Sequence, residues 1–208
     1  MVKVKICGVH SKDEARKSIK YGADFLGMLI NIPETNLSLS PLEAKLIISP
    51  QKKGKFIILT IEKDPKRLLS LVKEISPWGI QLLRPTKDNV NFLSKNSQVK
   101  VIPVVHITKK TDIDKIKLFN KADYILLDSK RGHHLGGTGK VHDWNISKKI
   151  VFNSKIPIFL AGGLNEHNVE EAIKLVNPYA IDIESSLRDH RGFRDLKKVK
   201  KFIDVIKT

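Results

Sequence analysis

Two residues of this chain are best placed to move protons. Asp128 ends the apolar run Tyr124-Ile125-Leu126-Leu127. It opens the loop Ser129-Lys130-Arg131-Gly132-His133-His134-Leu135-Gly136-Gly137-Thr138-Gly139-Lys140, which runs on to Val141-His142-Asp143-Trp144, where a helix can start. A carboxylate at a strand tip is held rigidly, and the N–H groups of a glycine-rich loop can approach an anion. Taken alone, the stretch reads equally well as an ordinary strand-to-helix loop with a capping Asp. The second residue is Cys7, which follows the strand-like Val4-Lys5-Ile6 and precedes Gly8. A lone cysteine is usually a small buried hydrophobe. At a strand tip, with lysines on the same strand, its thiol pKa is expected to fall, and the thiolate could serve as a general base.

Side chains alternate along a strand, so Lys3, Lys5 and Cys7 share one face. With Cys7 at the open end of the fold, Lys5 points inward, where a buried ammonium needs a partner. Asp182 and Glu184 on the last strand are the candidates. The apolar neighbours Leu126 and Leu127 should raise the pKa of Asp128 and suit it to act as a general acid. A thiolate base facing a carboxylic acid fits proton transfer at a sugar carbon and oxygen. That is an isomerisation, and no metal or organic cofactor is required.

The elements that must position these groups recur regularly. Strand-like runs lie at 2–6, 25–30, 56–60, 79–83, 99–105, 124–127, 158–160 and 180–183. Amphipathic helix-like stretches lie near 12–21, 41–49, 64–75, 87–95, 111–120, 144–153, 167–176 and 195–206. Cap chemistry opens several of them: Ser11, Ser40-Pro41 with Glu43, Asp64-Pro65, and Thr111-Asp112. The strands are short, rich in Val, Ile and Leu, and apolar on both faces, as buried parallel strands are. Eight strand–helix units in 208 residues point to a single-domain (β/α)8 TIM barrel over 1–208. An open doubly wound sheet is the runner-up, but it calls for a Gly-x-Gly-x-x-Gly turn after the first strand, and the sequence has none.

A barrel works at the C-terminal ends of its strands. Those ends read Cys7-Gly8, Asn31, Glu62, Leu83-Arg84, His106, Asp128, Gly162-Gly163 and Asp182 through Ser186. Loops after the seventh and eighth strands commonly hold phosphate through backbone N–H groups, which singles out Gly162, Gly163, Ser185 and Ser186. The 136–140 loop then reads as a wall or lid. His133 and His134 are adjacent and the other histidines dispersed, so no metal site is expected. His106 reads as structural or as a bystander.

The formal charge of +16 comes from lysines scattered over predicted helices, and only 6% of residues are aromatic. A nucleic-acid site would call for a basic stripe with interleaved aromatics, so a small anionic, phosphorylated ligand is the expected partner. No apolar run is long enough to cross a bilayer, and the N-terminus does not read as a signal peptide. One cysteine fits a reducing cytoplasm. The sequence leaves monomer and homodimer both open.

Several stretches together resemble the phosphoribosylanthranilate isomerase family of tryptophan biosynthesis. They are Val4-Lys5-Ile6-Cys7-Gly8, Gly22-Ala23-Asp24-x-x-Gly27, Ile80-Gln81-Leu82, Leu126-Leu127-Asp128-Ser129, Gly136-Gly137-Thr138-Gly139-Lys140-x-x-Asp143-Trp144 and Ala161-Gly162-Gly163-Leu164-Asn165-x-x-Asn168-Val169. The resemblance implies an aldose–ketose isomerase that performs the Amadori rearrangement of N-(5′-phosphoribosyl)anthranilate. It makes Cys7 the base at C2′ and Asp128 the acid at the ring oxygen. Gly163 and the Ser185-Ser186 turn become phosphate holders, and Asp182 a retained active-site Asp.

The sequence departs from the family's pattern at three places. The family carries an Arg after strand two that binds the anthranilate carboxylate, and Pro33-Glu34-Thr35-Asn36-Leu37-Ser38 has none. Gln-Leu-His-Gly after strand four is Gln81-Leu82-Leu83-Arg84 here. Asp-Val-Ser-Ser-Gly-Val-Glu is Asp182-Ile183-Glu184-Ser185-Ser186-Leu187-Arg188. Arg84, Arg131 and Arg188 are the candidates for the missing guanidinium. The alternatives are a diverged barrel that handles another aminosugar phosphate, and a non-catalytic basic binding protein.

Overall fold

A computed structural model describes residues 1–51, 53–129 and 141–207. The loop 130–140, with Arg131, the adjacent histidines and the proposed lid, lies outside the described residues. The strands are β1 (Lys3–Ile6), β2 (Phe25–Ile30), β3 (Ser38–Leu39), β4 (Lys55–Thr60), β5 (Gly79–Leu82), β6 (Lys100–Ile107), β7 (Ile125–Ser129), β8 (Ile158–Leu160) and β9 (Ala180–Ile183). All their pairings are parallel. β1 pairs with both β2 and β9, which closes eight strands into a barrel; two-residue β3 lies outside the ring, beside β2.

The helices are α1 (Lys12–Tyr21), α2 (Pro41–Ile48), α3 (Pro65–Ile75), α4 (Lys87–Asn96), α5 (Trp144–Asn153), α6 (Val169–Val176) and α7 (Leu196–Lys207). The expected caps of the first three are present: Ser11 Oγ accepts from Glu14 N, Ser40 forms a capping box with Glu43, and Asp64 accepts from Arg67 N. The helix expected at 111–120 is instead a 3-10 segment, Lys110–Phe119. Asp112 sits inside it and turns back to accept from Thr108 N at 2.7 Å and Lys109 N at 3.0 Å. That carboxylate caps the segment from within, one turn later than a conventional N-cap. Among the described residues, no helix is long and apolar enough to cross a membrane.

Two apolar layers hold the fold. One lies between sheet and helices; the other fills the barrel with Phe25, Ile57, Leu59, Ile102, Val104, Leu126 and Phe159. Phe25, Trp78, Tyr124, Phe159 and Tyr179 pack ring against ring, with centroids 5.1–6.4 Å apart, at the N-terminal end of the strands. Lys55 Nζ lies 5.0 Å from the Trp78 ring. With that end plugged by aromatics, the C-terminal end is left for chemistry.

Candidate active site

Cys7 leaves β1 with its N–H bonded to Ile183 O on β9 at 2.9 Å. One pleat below, Lys5 is paired in register with Asp182. Lys5 is fully buried, and its Nζ lies 2.7 Å from Asp182 Oδ2. Asp182 is thus the partner of Lys5, and Glu184 is not. Burial is the largest influence and works against the ammonium, but the charges and hydrogen bonds of Asp182 and Cys7 together outweigh it and raise the Lys5 pKa. Burial likewise pushes the Asp182 carboxyl up, against the pull of Lys5. A 2.7 Å contact between two buried groups is an ammonium–carboxylate pair.

The expected fall in the thiol pKa is not what the site produces. Burial pushes Cys7 up to about 12: Lys5 lowers it, but desolvation with Asp182 and Glu184 nearby prevails. Room for the sulfur comes from Gly27 on β2, where an added Cβ would lie 2.9 Å from Cys7 Sγ and 3.1 Å from Lys5 Cε.

Asp128 lies within β7, in register with His106 on β6, since both strands run two residues further than the apolar pattern alone indicated. Burial pushes its carboxyl up to about 6, helped by the Asp182 charge and opposed by the Ser129 N–H and Lys5. The direction expected for an acid is therefore present. Gly162, at φ +90°, passes so close that a Cβ would lie 2.8 Å from Asp128 Oδ1. Behind Asp128, Ser129 Oγ meets His142 Nδ1 at 2.9 Å, and His142 Nε2 meets Ser147 Oγ at 2.6 Å. Burial depresses the His142 pKa to about 4, so a neutral ring ties the end of β7 to α5.

Cys7, Asp128, Gly162, Gly163, Asp182 and Ser185 all line one cavity of about 620 Å³. Ser186, Arg84 and Arg188, also singled out from sequence, do not. Ser186 turns its hydroxyl to Leu164 O at 2.9 Å, bracing the loop after β8. Arg84 stands at the rim, about half exposed, with Nη2 3.6 Å from Glu34 Oε1. Arg188 is committed elsewhere, to Glu184 Oε1 at 2.6 Å and Gly192 O at 2.8 Å.

Sequence reasoning underweighted three lining residues. His106, read from the sequence as structural or a bystander, lines the cavity. Gln81 is buried on β5 and lines it too; a lone polar residue in an apolar strand was the available signal. Glu34 lies on the wall, in the segment that lacks the arginine. Among the described residues no cluster of His, Cys, Asp and Glu is arranged to hold a metal.

Comparison with known proteins bears on this geometry. The family model described as N-(5′-phosphoribosyl)anthranilate isomerase matches residues 4–205. The curated N-(5′-phosphoribosyl)anthranilate isomerase of Aquifex aeolicus is 36% identical over 100% of both chains. The crystal structure of phosphoribosyl anthranilate isomerase from Thermotoga maritima superposes with a TM-score of 0.89 at 27% identity, covering 100% of this chain and 99% of that one. A structure of the same enzyme type in complex with reduced 1-(o-carboxyphenylamino)-1-deoxyribulose 5-phosphate superposes at 0.85 with 25% identity, again over 100% and 99%. The match runs through the barrel from end to end and takes in both β1 and β7, and on that ground the chain belongs to the N-(5′-phosphoribosyl)anthranilate isomerase family.

Proposed function

We propose that Cys7 and Asp128 are the base and acid of the Amadori rearrangement that this family performs in tryptophan biosynthesis. The observation that carries the reading is that a thiol on β1 and a carboxyl with a raised pKa on β7 line the same cavity. Asp128 gives its proton to the furanose ring oxygen as the C1′–O bond breaks, and the anthranilate nitrogen lone pair forms the C1′=N bond. The Cys7 thiolate then takes the C2′ proton, and the electrons return to nitrogen as an enolamine. Its tautomerisation gives the 1-deoxyribulose product. Both steps are proton transfers, and the chain supplies both partners.

The substrate has two anionic ends. Gly162, Gly163 and the Ser185 turn border one side of the cavity, where backbone N–H groups suit a phosphate. Ser186 contributes at most backbone there, since its hydroxyl is spent on Leu164. The carboxylate end falls to Arg84, which stands beside Glu34 in the segment where the family has its arginine. A purified-protein isomerase assay, or rescue of a tryptophan-requiring strain, tests the reading. Wild type is active and Asp128→Asn and Cys7→Ala are not; turnover by either variant overturns the assignment.

A further inference from the structure

Two arginines from the last loop reach back across the seam where β1 meets β9. Arg194 Nη1 donates to Glu184 O at 3.1 Å, and its Nη2 donates to Cys7 O. Arg188 holds Glu184 Oε1 through Nε, and its Nη2 lies 3.5 Å from Gly8 O. Gly8, at φ +75°, leaves them no slack: a Cβ there would lie 2.7 Å from Arg188 Nη2 and 3.3 Å from Arg194 Nη2. Residues 184 and 188 are both departures from the family's pattern, and here they pair with each other.

We propose that Arg194 is a positioning residue for Cys7: its guanidinium clamps the carbonyl of Cys7 to that of Glu184 and sets a buried cation within electrostatic reach of the sulfur. The Arg194 Nε is buried and makes no hydrogen bond among the described residues. A guanidinium that serves only stability has little reason to leave a buried donor unpaired. Arg194 pays for its burial and for the nearby Arg188 charge with a lowered pKa, while Glu14, Glu184 and Cys7 draw it back up. The groups that shift the thiol are Lys5 from its own strand and Asp182 and Glu184 from β9 and its exit; Arg194, in the loop before α7, feels the Cys7 charge in turn. Lys5 is shared with Asp182, so its charge is already largely countered. Arg194 hydrogen-bonds to neutral carbonyls, with the Glu14 and Glu184 charges also acting on it, and its charge adds to that of Lys5 in favouring a thiolate when the base forms.

The catalytic part of this inference rests on Cys7 being the base; the thiol part does not. The chain has one cysteine, so iodoacetamide alkylation reads Cys7 alone. In Arg194→Gln, alkylation at alkaline pH is expected to be about tenfold slower than in wild type, equivalent to roughly one pKa unit. kcat is expected to fall about tenfold, with KM within about twofold. Arg194→Lys restores the charge and should recover most of the alkylation rate. Wild-type alkylation in Arg194→Gln overturns the proposal, and so does a loss of kcat unaccompanied by slower alkylation, which marks a general disturbance of the seam. Equal losses in the Gln and Lys variants overturn it as well. Should Cys7→Ala retain turnover, the base assignment fails while the alkylation result still decides the clamp.

Discussion

Lys5 Nζ and Asp182 Oδ2 meet at 2.7 Å inside the barrel, directly beneath the thiol of Cys7. Breaking a buried pair by removing one partner strands the other charge, which costs about 3–5 kcal/mol. Lys5→Met should therefore lower the unfolding free energy by about that amount in urea titration. The double variant Lys5→Met/Asp182→Leu removes both charges and should recover most of the loss. A single variant within about 1 kcal/mol of wild type would mean that Asp182 is held neutral and that no ion pair exists.

The two reacting groups titrate in reverse order. The working form needs a Cys7 thiolate and an Asp128 carboxylic acid, yet the thiol is pushed up to about 12 and the carboxyl to about 6. Below about pH 6 nearly all Asp128 is protonated, and the thiolate fraction grows tenfold per unit, so kcat/KM rises with pH. Above that value each gain in thiolate is cancelled by a loss of acid, and kcat/KM stays level toward alkaline pH. The working form is then on the order of one molecule in a million, and binding the substrate must enrich it. A kcat/KM that falls above pH 6 would instead place the thiol pKa below that of Asp128.

Glu34 and the substrate carboxylate compete for the Arg84 guanidinium. With the guanidinium 3.6 Å from Glu34 at a half-exposed rim, the pair itself contributes little stability. Arg84→Ala should raise KM about tenfold and leave kcat within about threefold, because it removes binding that ground state and transition state share. Glu34→Gln frees the arginine and should lower KM. Steady-state kinetics on the two variants separate the effects, and a KM that moves the same way in both would exclude Arg84 as the carboxylate ligand.

The barrel, and the gathering of Cys7, Asp128, Gly162, Gly163, Asp182 and Ser185 about one cavity, were legible in the sequence, each for a local reason. Short apolar runs buried on both faces and separated by capped amphipathic stretches fit a barrel or a doubly wound sheet, and eight such units without a Gly-x-Gly-x-x-Gly turn favour the barrel. Alternation along β1 put Lys5 inward below Cys7, and only a carboxylate on the adjoining strand could satisfy it. Two things were hidden because they depend on contacts far apart in the chain. The direction of the Cys7 shift depends on desolvation, which the nearby lysine suggested would be overcome and is not. The roles of Arg188 and Arg194 depend on a loop folding back over 180 residues of sequence to Gly8 and Cys7. The start of the 110–119 segment was missed for a local reason: residue type suggested Thr111, whereas Asp112 accepts from the N–H groups of Thr108 and Lys109.

Gly27 offers the sharpest separation of fold from chemistry. A Cβ at this position meets Cys7 Sγ at 2.9 Å and Leu59 Cδ1 and Lys5 Cε at 3.1 Å each, so the sulfur must shift. Gly27→Ala should cost about 1–3 kcal/mol by overpacking and lower kcat by up to about a hundredfold, the scale set by misplacing a reacting group by about 1 Å. Gly79, at the start of β5, faces comparable crowding from Lys100 O at 3.2 Å and Ile57 at 3.4 Å, away from the thiol. Gly79→Ala should therefore lower Tm with kcat close to wild type. Measured side by side, equal kcat losses in the two variants would show that activity follows general stability and that the position of the Cys7 sulfur has no special part in the reaction.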